Sequence, residues 1–237
     1  MKILALNTAT THTSIALLDQ GALIEERLYD DNRSHAQNLI PEIISLLGSH
    51  QLIFEQLDQI AVITGPGSFT GIRIGLAAAI GLKIGLNIPI IGVTSFEAYL
   101  QAFQNNSARN NPAKEDLLLI AIESLRTELY FQTYNRTNHI FSAPVNLKPD
   151  DFFTAQKNLP AIIIGDAGTK LCPFLKTEGI SFIEHDEKFN NSLAYHAGCF
   201  CQNLPVGTLS NRESPSPFYI RPADAIKATN IRKMSNI

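Results

Sequence analysis

Short apolar runs open the chain. Residues 3–7, 14–18 and 22–29 read as three successive strands, separated by the polar turn Thr8-Ala9-Thr10-Thr11-His12-Thr13 and by Asp19-Gln20-Gly21. The period then lengthens. Apolar residues at 36, 39, 40, 43, 44, 46 and 47 predict a helix over 34–47, with Pro41 absorbed as a kink. A buried strand over 60–64 leads into the glycine turn Gly65-Pro66-Gly67-Ser68-Phe69-Thr70-Gly71, an apolar helix to Leu86, a strand over 88–93 and a helix from Ser95 to about Phe103.

Residues 104–112 are almost wholly polar, so a domain boundary is expected there, with 105–112 as the linker. Beyond it the same order of elements begins again. Strands are expected over 117–122, 129–134 and 139–144, a helix over 149–157, a strand over 161–165, a short helix over 169–175, a strand over 180–184 and a helix over 192–204. The expected organisation is a first half over 1–104, a second over 113–210, and a last extended piece, Pro215-Ser216-Pro217-Phe218-Tyr219-Ile220-Arg221-Pro222, within a segment 215–237 that returns to the first half. No sequence repeat accompanies this duplicated order of strands and helices.

The helix behind the glycine turn is unusual in composition. Between Ile72 and Leu86 only Arg73 and Lys83 are charged, and Gly75, Gly81 and Gly85 each cost about 1 kcal/mol relative to alanine. Gly71, Gly75 and Ala79 form one ridge of small residues, and Ala77, Gly81 and Gly85 another. A helix apolar on nearly every side is expected to be buried on nearly every side, one side by its own sheet and the other by a second helix or a second protein. The apolar run between Arg73 and Lys83 is shorter than the ~20 residues of a membrane span.

Totals narrow the field. The chain has 237 residues, 45% of them hydrophobic, which is enough for a sizeable core in one large or two modest domains. A net charge of −3 argues against a protein that grips nucleic acid alone. Cys172, Cys199 and Cys201 lack paired CxxC spacing and read as reduced thiols. The N-terminus enters a strand directly, without signal-peptide character, so a cytoplasmic protein is expected.

Two such halves are the arrangement of an α/β actin-like (ASKHA, ribonuclease H-like) duplicated fold, two βββαβαβα halves around a cleft. By analogy, Asn7, Thr8, Gly65, Gly67 and Ser68 are the candidate remnant of a phosphate or nucleotide loop, since backbone N–H groups at a helix start can face an anion. An equally good reading makes Ser68 or Thr70 a helix cap with no ligand. Where that superfamily places an acidic residue for magnesium, this chain has Asn7, whose amide carries no charge. His35 reads as a cap or surface residue, and Arg73 is open to a phosphate, an acidic partner or an internal ion pair.

The opening ILALNTATTHTSIALLD, the segment Arg33-Ser34-His35 before the first helix, the block GPGSFTGIRIGLAAAIGL and the late PFYIRP together resemble the bacterial TsaB (YeaZ) family, closely over the first hundred residues and loosely beyond. The resemblance implies a role in threonylcarbamoyladenosine biosynthesis on tRNA, as a non-catalytic scaffold or activator paired with the catalytic relative TsaD. It also implies an ATPase subunit in the same complex, tRNA contact only through that complex, and a homodimer when the chain is alone. TsaD carries metal-binding histidines in HxxxH spacing, aligned here with Ser95 and Tyr99, so no metal site is expected. No cofactor is expected on this chain, with ATP and metal on the partner subunits. The candidate partner interface is Leu39, Ile40, Ile43 and Leu47 with Gly71, Ile74, Gly75, Ala78 and Leu82, forming a four-helix contact with a like pair from TsaD. The alternative is an ATP-dependent kinase or ATPase of the actin-like superfamily, which needs magnesium chemistry between the halves. A metallopeptidase lacks ligands.

Overall fold

The computed structural model describes residues 1–29, 35–105, 117–124, 126–155, 162–168, 170–171, 175, 193–205 and 214–221. The first half is a five-stranded sheet, β1 (Lys2–Asn7), β2 (Thr13–Asp19), β3 (Ala22–Tyr29), β4 (Gln59–Gly65) and β5 (Ile90–Thr94), in the order β3-β2-β1-β4-β5. The first three strands form the expected antiparallel meander, Leu4 facing Leu17 across β1 and β2. β4 and β5 add in parallel, with Ala5 beside Ala61 and Ala61 beside Ile91. The central strands β1, β2 and β4 are buried almost throughout, as their unbroken apolar runs require.

Helices cover both faces of this sheet. α1 (His35–Ser49) and α2 (Phe69–Leu86) pack on one face, and α3 (Ser95–Asn105) on the other. α2 begins at Phe69, where Ser68 Oγ accepts from the Gly71 amide at 3.1 Å, and it ends at Asn87 in a left-handed conformation. α3 is buried over most of its surface. Its start is fixed by a reciprocal cap: Thr94 Oγ1 accepts from the Glu97 amide at 3.1 Å and Glu97 Oε2 accepts from the Thr94 amide at 2.8 Å.

The second half repeats the connection pattern. β6 (Leu117–Ile122) runs antiparallel to β7 (Leu129–Asn135) and parallel to β10 (Ile162–Ile164), while β8 (Ile140–Phe141) and β9 (Val145–Leu147) both pair with β7. The strand expected over 139–144 is shorter, ending at Phe141, and a further short strand follows it after Ser142-Ala143-Pro144, where proline removes a ladder donor. β6 serves two cores by alternation. Leu118, Ile120 and Ile122 join the core of the first half, and Leu119 and Ala121 pack with Phe131, Phe152 and Phe153 under α4 (Pro149–Ala155). The strand expected over 180–184, the linker from 106 onward and the tail beyond 221 lie outside the described residues.

The helix expected to close the second half, α5 (Leu193–Asn203), crosses to the first sheet instead. It lies against β1, β2 and β4 and alongside α3. Ser14 Oγ and Glu26 Oε1 accept from the Ala194 and Tyr195 amides at 3.1 and 3.2 Å, and Gly198 lets Leu18 pack against the helix backbone. α3 and α5 therefore fill the layer beside the first sheet, and the inward face of β6 and β10 joins the same apolar cluster. Sequence period locates such a helix but not the sheet it covers, because both sheets offer an equivalent apolar face.

Candidate functional site

The turn after β1 and the glycine turn after β4 meet, and each fills the space the other would offer a ligand. Asn7 is fully buried. Its Nδ2 donates to Thr10 Oγ1 at 2.8 Å and to the His12 carbonyl at 3.1 Å, and its Oδ1 accepts from the Ala9 amide at 3.1 Å. Thr8 Oγ1 donates to the Gly71 carbonyl at 2.6 Å, and the Ser68 amide donates to the Ala9 carbonyl at 2.6 Å. Gly67 and Gly71 are glycines for steric reasons, since a Cβ on either would run into the Ala9 or Thr8 carbonyl. Gly65, at φ +109°, precedes a cis peptide to Pro66 and sits against Ile72 and the Phe218 carbonyl. All five candidate loop residues are close together, yet Asn7, Thr8 and Ser68 bond to their own chain, and the glycines admit carbonyl oxygens in place of phosphate oxygens.

The corresponding turn of the second half is also tied inward. Asp166 Oδ1 accepts from the Glu123 amide at 2.7 Å, Thr11 Oγ1 reaches Asp166 Oδ2 at 3.5 Å from the first half, and Lys170 Nζ pairs with Glu123 Oε1 at 2.6 Å. Loss of solvent around the Asp166 carboxyl pushes its pKa up to about 6. Tyr99, wholly buried on α3 within electrostatic reach of Asp166, is held well above the ordinary tyrosine range, first by burial and then by that carboxylate.

Ser95 and Tyr99, at the positions aligned with metal-binding histidines, do not fit a divalent metal. Ser95 Oγ is buried and donates to the Pro66 carbonyl at 2.7 Å, and burial keeps Tyr99 protonated. Among the described residues no three His, Cys, Asp or Glu side chains are grouped to hold an ion. His35 opens α1, and its side chain lies outside the described set.

The outer face of α1 and α2 differs from expectation in which residues form it. Leu39, Ile43 and Leu47 are buried in the chain's own core, so the expectation that they face outward is corrected. They occupy an i, i+4, i+8 stripe that the sheet covers together with Leu46. Gly71 and Gly75 also face inward, toward Thr8, and Ile74, Ala78 and Leu82 are half-buried at the margin of the core. The two small-residue ridges of α2 thus have opposite roles. Gly71, Gly75 and Ala79 admit the β1 turn and the sheet, whereas Ala77, Gly81 and Gly85 are exposed, with nothing within 4 Å of a Cβ placed on Gly81 or Gly85. The apolar residues that reach solvent here are Ile40 (38% exposed), Ile44 (53%), Ile80 (42%) and Ile84 (78%). Ile40 was among the expected residues; Ile44, Ile80 and Ile84 were not. The signal for them is phase: once Leu39, Ile43, Leu46 and Leu47 are taken as the inward stripe, Ile40 and Ile44 lie off it.

By length and composition alone α2 qualifies as a membrane-crossing helix. Its inner face is nonetheless seated on β4 through Ile72, Leu76 and Ala79, and an antiparallel-and-parallel sheet lies directly beneath.

The last described segment, 214–221, returns to the first half. The Phe218 amide donates to the Thr64 carbonyl at 2.8 Å, Pro215 fills the space left by Gly92, and Tyr219 stacks on Phe69 with ring centroids 4.7 Å apart.

A family model described as TsaD, tRNA N6-adenosine threonylcarbamoyltransferase, matches residues 26–162. The chain is similar to the tRNA threonylcarbamoyladenosine biosynthesis protein TsaB of Escherichia coli (strain K12), 28% identical over 228 residues that span 93% of this chain and 95% of that protein. Among solved structures it is similar to YeaZ from Pseudomonas aeruginosa, with a TM-score of 0.64 and 22% identity over 84% of this chain and 90% of that one. It shares its fold more distantly with an inorganic polyphosphate/ATP-glucomannokinase from Arthrobacter sp. strain KM, at a TM-score of 0.50 and 8% identity over 85% of this chain and 98% of that one. The actin-like duplicated fold is the one expected.

Proposed function

The chain belongs to the TsaD family of tRNA N6-adenosine threonylcarbamoyltransferases as a member of its TsaB (YeaZ) branch, and from that membership we propose that it is a non-catalytic subunit which binds a TsaD-type catalytic relative and thereby supports threonylcarbamoyl transfer to tRNA adenosine. The observation that carries this reading is the exposure of aliphatic side chains on both helices, Ile40 and Ile44 on α1 and Ile80 and Ile84 on α2, the latter beside an open glycine ridge. Exposed isoleucines on each of two adjacent helices are suited to cover by a partner helix pair, and the ridge at Ala77, Gly81 and Gly85 lets helix backbones approach closely.

A non-catalytic role fits the interior. Both cleft turns are occupied by their own side chains and carbonyls, and the Ser95 and Tyr99 pair offers no ligand for a metal. ATP and metal are accordingly assigned to the partner subunits, the pathway's ATPase among them, and tRNA contact to the assembled complex in the cytoplasm. When TsaD is absent the same face is free to pair with a second copy. The kinase reading shares the fold and gains no support from the filled turns.

The test is reconstitution. Purified chain, a TsaD-family protein and the remaining transfer components are assayed for threonylcarbamoyladenosine on tRNA, with and without this chain. Modification should require it, and the chain should co-elute with the TsaD-family protein. Full modification in its absence, or turnover of ATP by the chain alone, would overturn the proposal.

A further inference from the structure

Arg73 lies near the N-terminal end of the exposed α2 face, one turn before Ala77 and in line with Ile80 and Ile84. Its side chain is held in place. The guanidinium carbon sits 3.7 Å from the Phe69 ring centroid, Phe69 stacks on Tyr219, and Arg73 Nε donates to the Tyr219 hydroxyl at 3.1 Å. These contacts account for the stem and for one of the three guanidinium nitrogens. The two terminal nitrogens have no hydrogen-bond or ion-pair partner among the described residues, and both Arg73 and Tyr219 are exposed. A guanidinium fixed on its stem with its fork open to solvent is pre-organised for a planar, doubly accepting group.

Resting on the reading that this face receives a TsaD-type partner, we propose that Arg73 is its polar anchor and donates through its two terminal nitrogens to an aspartate or glutamate carboxylate of the apposed partner helix. Charge favours this occupant. α2 contains no acidic residue, and its other cation, Lys83, is half-buried with contacts of its own. Arg73 gains nothing from its helix, since a cation near the N-terminal end opposes the macrodipole. A nucleic-acid backbone is held by several clustered cations, whereas among the described residues of α2 one exposed guanidinium stands beside aliphatic side chains. Anchored this way, the carboxylate would fix the register of two otherwise featureless apolar helix faces, and residues 214–221, which supply Tyr219, become part of the docking surface.

The experiment measures binding of the full chain to a TsaD-family protein by titration calorimetry at low and high salt, for wild type, Arg73→Ala, Arg73→Lys and Ile84→Glu, with melting temperatures of each chain alone. Arg73→Ala should weaken binding on the order of 10- to 100-fold at low salt and flatten its salt dependence; Arg73→Lys should recover only part, because it keeps the charge and loses the fork. If Arg73→Ala lowers the melting temperature, Arg73→Gln, which retains a polar stem against Phe69, is compared in its place. Wild-type affinity in Arg73→Ala, with Ile84→Glu disrupting the complex, would overturn this assignment and leave the subunit reading standing. A weakening that is equal at all salt concentrations would overturn it too, as would Arg73-dependent binding of free tRNA by the chain alone. Failure of the wild-type chain to bind would remove the subunit reading and this inference with it.

Discussion

Thr8 Oγ1 donates to the Gly71 carbonyl at 2.6 Å, joining the first turn of the chain to the start of α2 across 63 residues of sequence. The glycine is what permits it, because a Cβ there would meet the Thr8 backbone carbonyl. Gly71→Ala should therefore destabilise the isolated chain, by about 1–3 kcal/mol as overpacking against backbone does, read as a lower urea midpoint. Gly75→Leu, whose Cβ would stand 2.5 Å from Thr8 Oγ1, should unfold more readily still, before any effect on a partner. Unchanged stability in both would mean that this ridge is not internal.

The outer ridge should respond in the opposite direction. Gly81→Ala and Gly85→Ala meet nothing within 4 Å and remove the helix penalty of glycine, so each should raise the stability of the free chain by about 0.5–1 kcal/mol. Bulk added there is expected to weaken partner binding, giving a more stable chain that binds less well. Thermal melts and a binding titration on the same variants separate the two effects.

Asp166 sets a pH dependence. Its carboxyl titrates near 6 in the folded chain against an ordinary value of 3.8, because burial disfavours the charged form. The folded state therefore holds this proton at pH values where the unfolded chain has released it, and the contribution to stability falls as pH rises from about 4 to about 6. Asp166→Asn, facing the same Glu123 amide, Thr11 and Tyr99, removes that slope. Its stability relative to wild type should grow across that window, by up to about 3 kcal/mol, and stay level above it. A difference independent of pH would contradict the placement of the carboxyl.

Restoring an acid at the first turn should not restore nucleotide binding. Asn7→Asp removes two donors, to Thr10 and His12, and turns a buried carboxylate toward the His12 carbonyl. A loss of about 2–4 kcal/mol is expected, with no Mg-ATP binding by calorimetry. Micromolar Mg-ATP binding by the variant would show that the turn is an intact site lacking only its acid.

Much of this was legible in the chain. The meander of β1 to β3, the alternation of helix and strand after it, the start of the same order at β6 and the position of α2 all follow from apolar period and glycine placement. Orientation was not. Leu39 and Ile40 are neighbours with the same chemistry, and only the seating of α1 on the sheet decides that the first is core and the second surface. The crossing of α5 depends on Ser14 and Glu26, 180 and 169 residues before their partners, and Asp166 reaches Thr11 across 155 residues of sequence. Such contacts belong to tertiary assembly, which local pattern does not encode. The glycine block was recognisable as special, but its division into an inner and an outer ridge needed the β1 turn in place.

The most direct measurement of the central claim is the affinity of the full chain for a TsaD-family protein before and after Ile84→Glu, the substitution at the most exposed of the four isoleucines. The free variant should melt within about 0.5 kcal/mol of wild type, as surface changes do, while its complex is lost, since a carboxylate would be desolvated against an apolar face. A variant that binds as tightly as wild type would place the partner elsewhere and contradict the account.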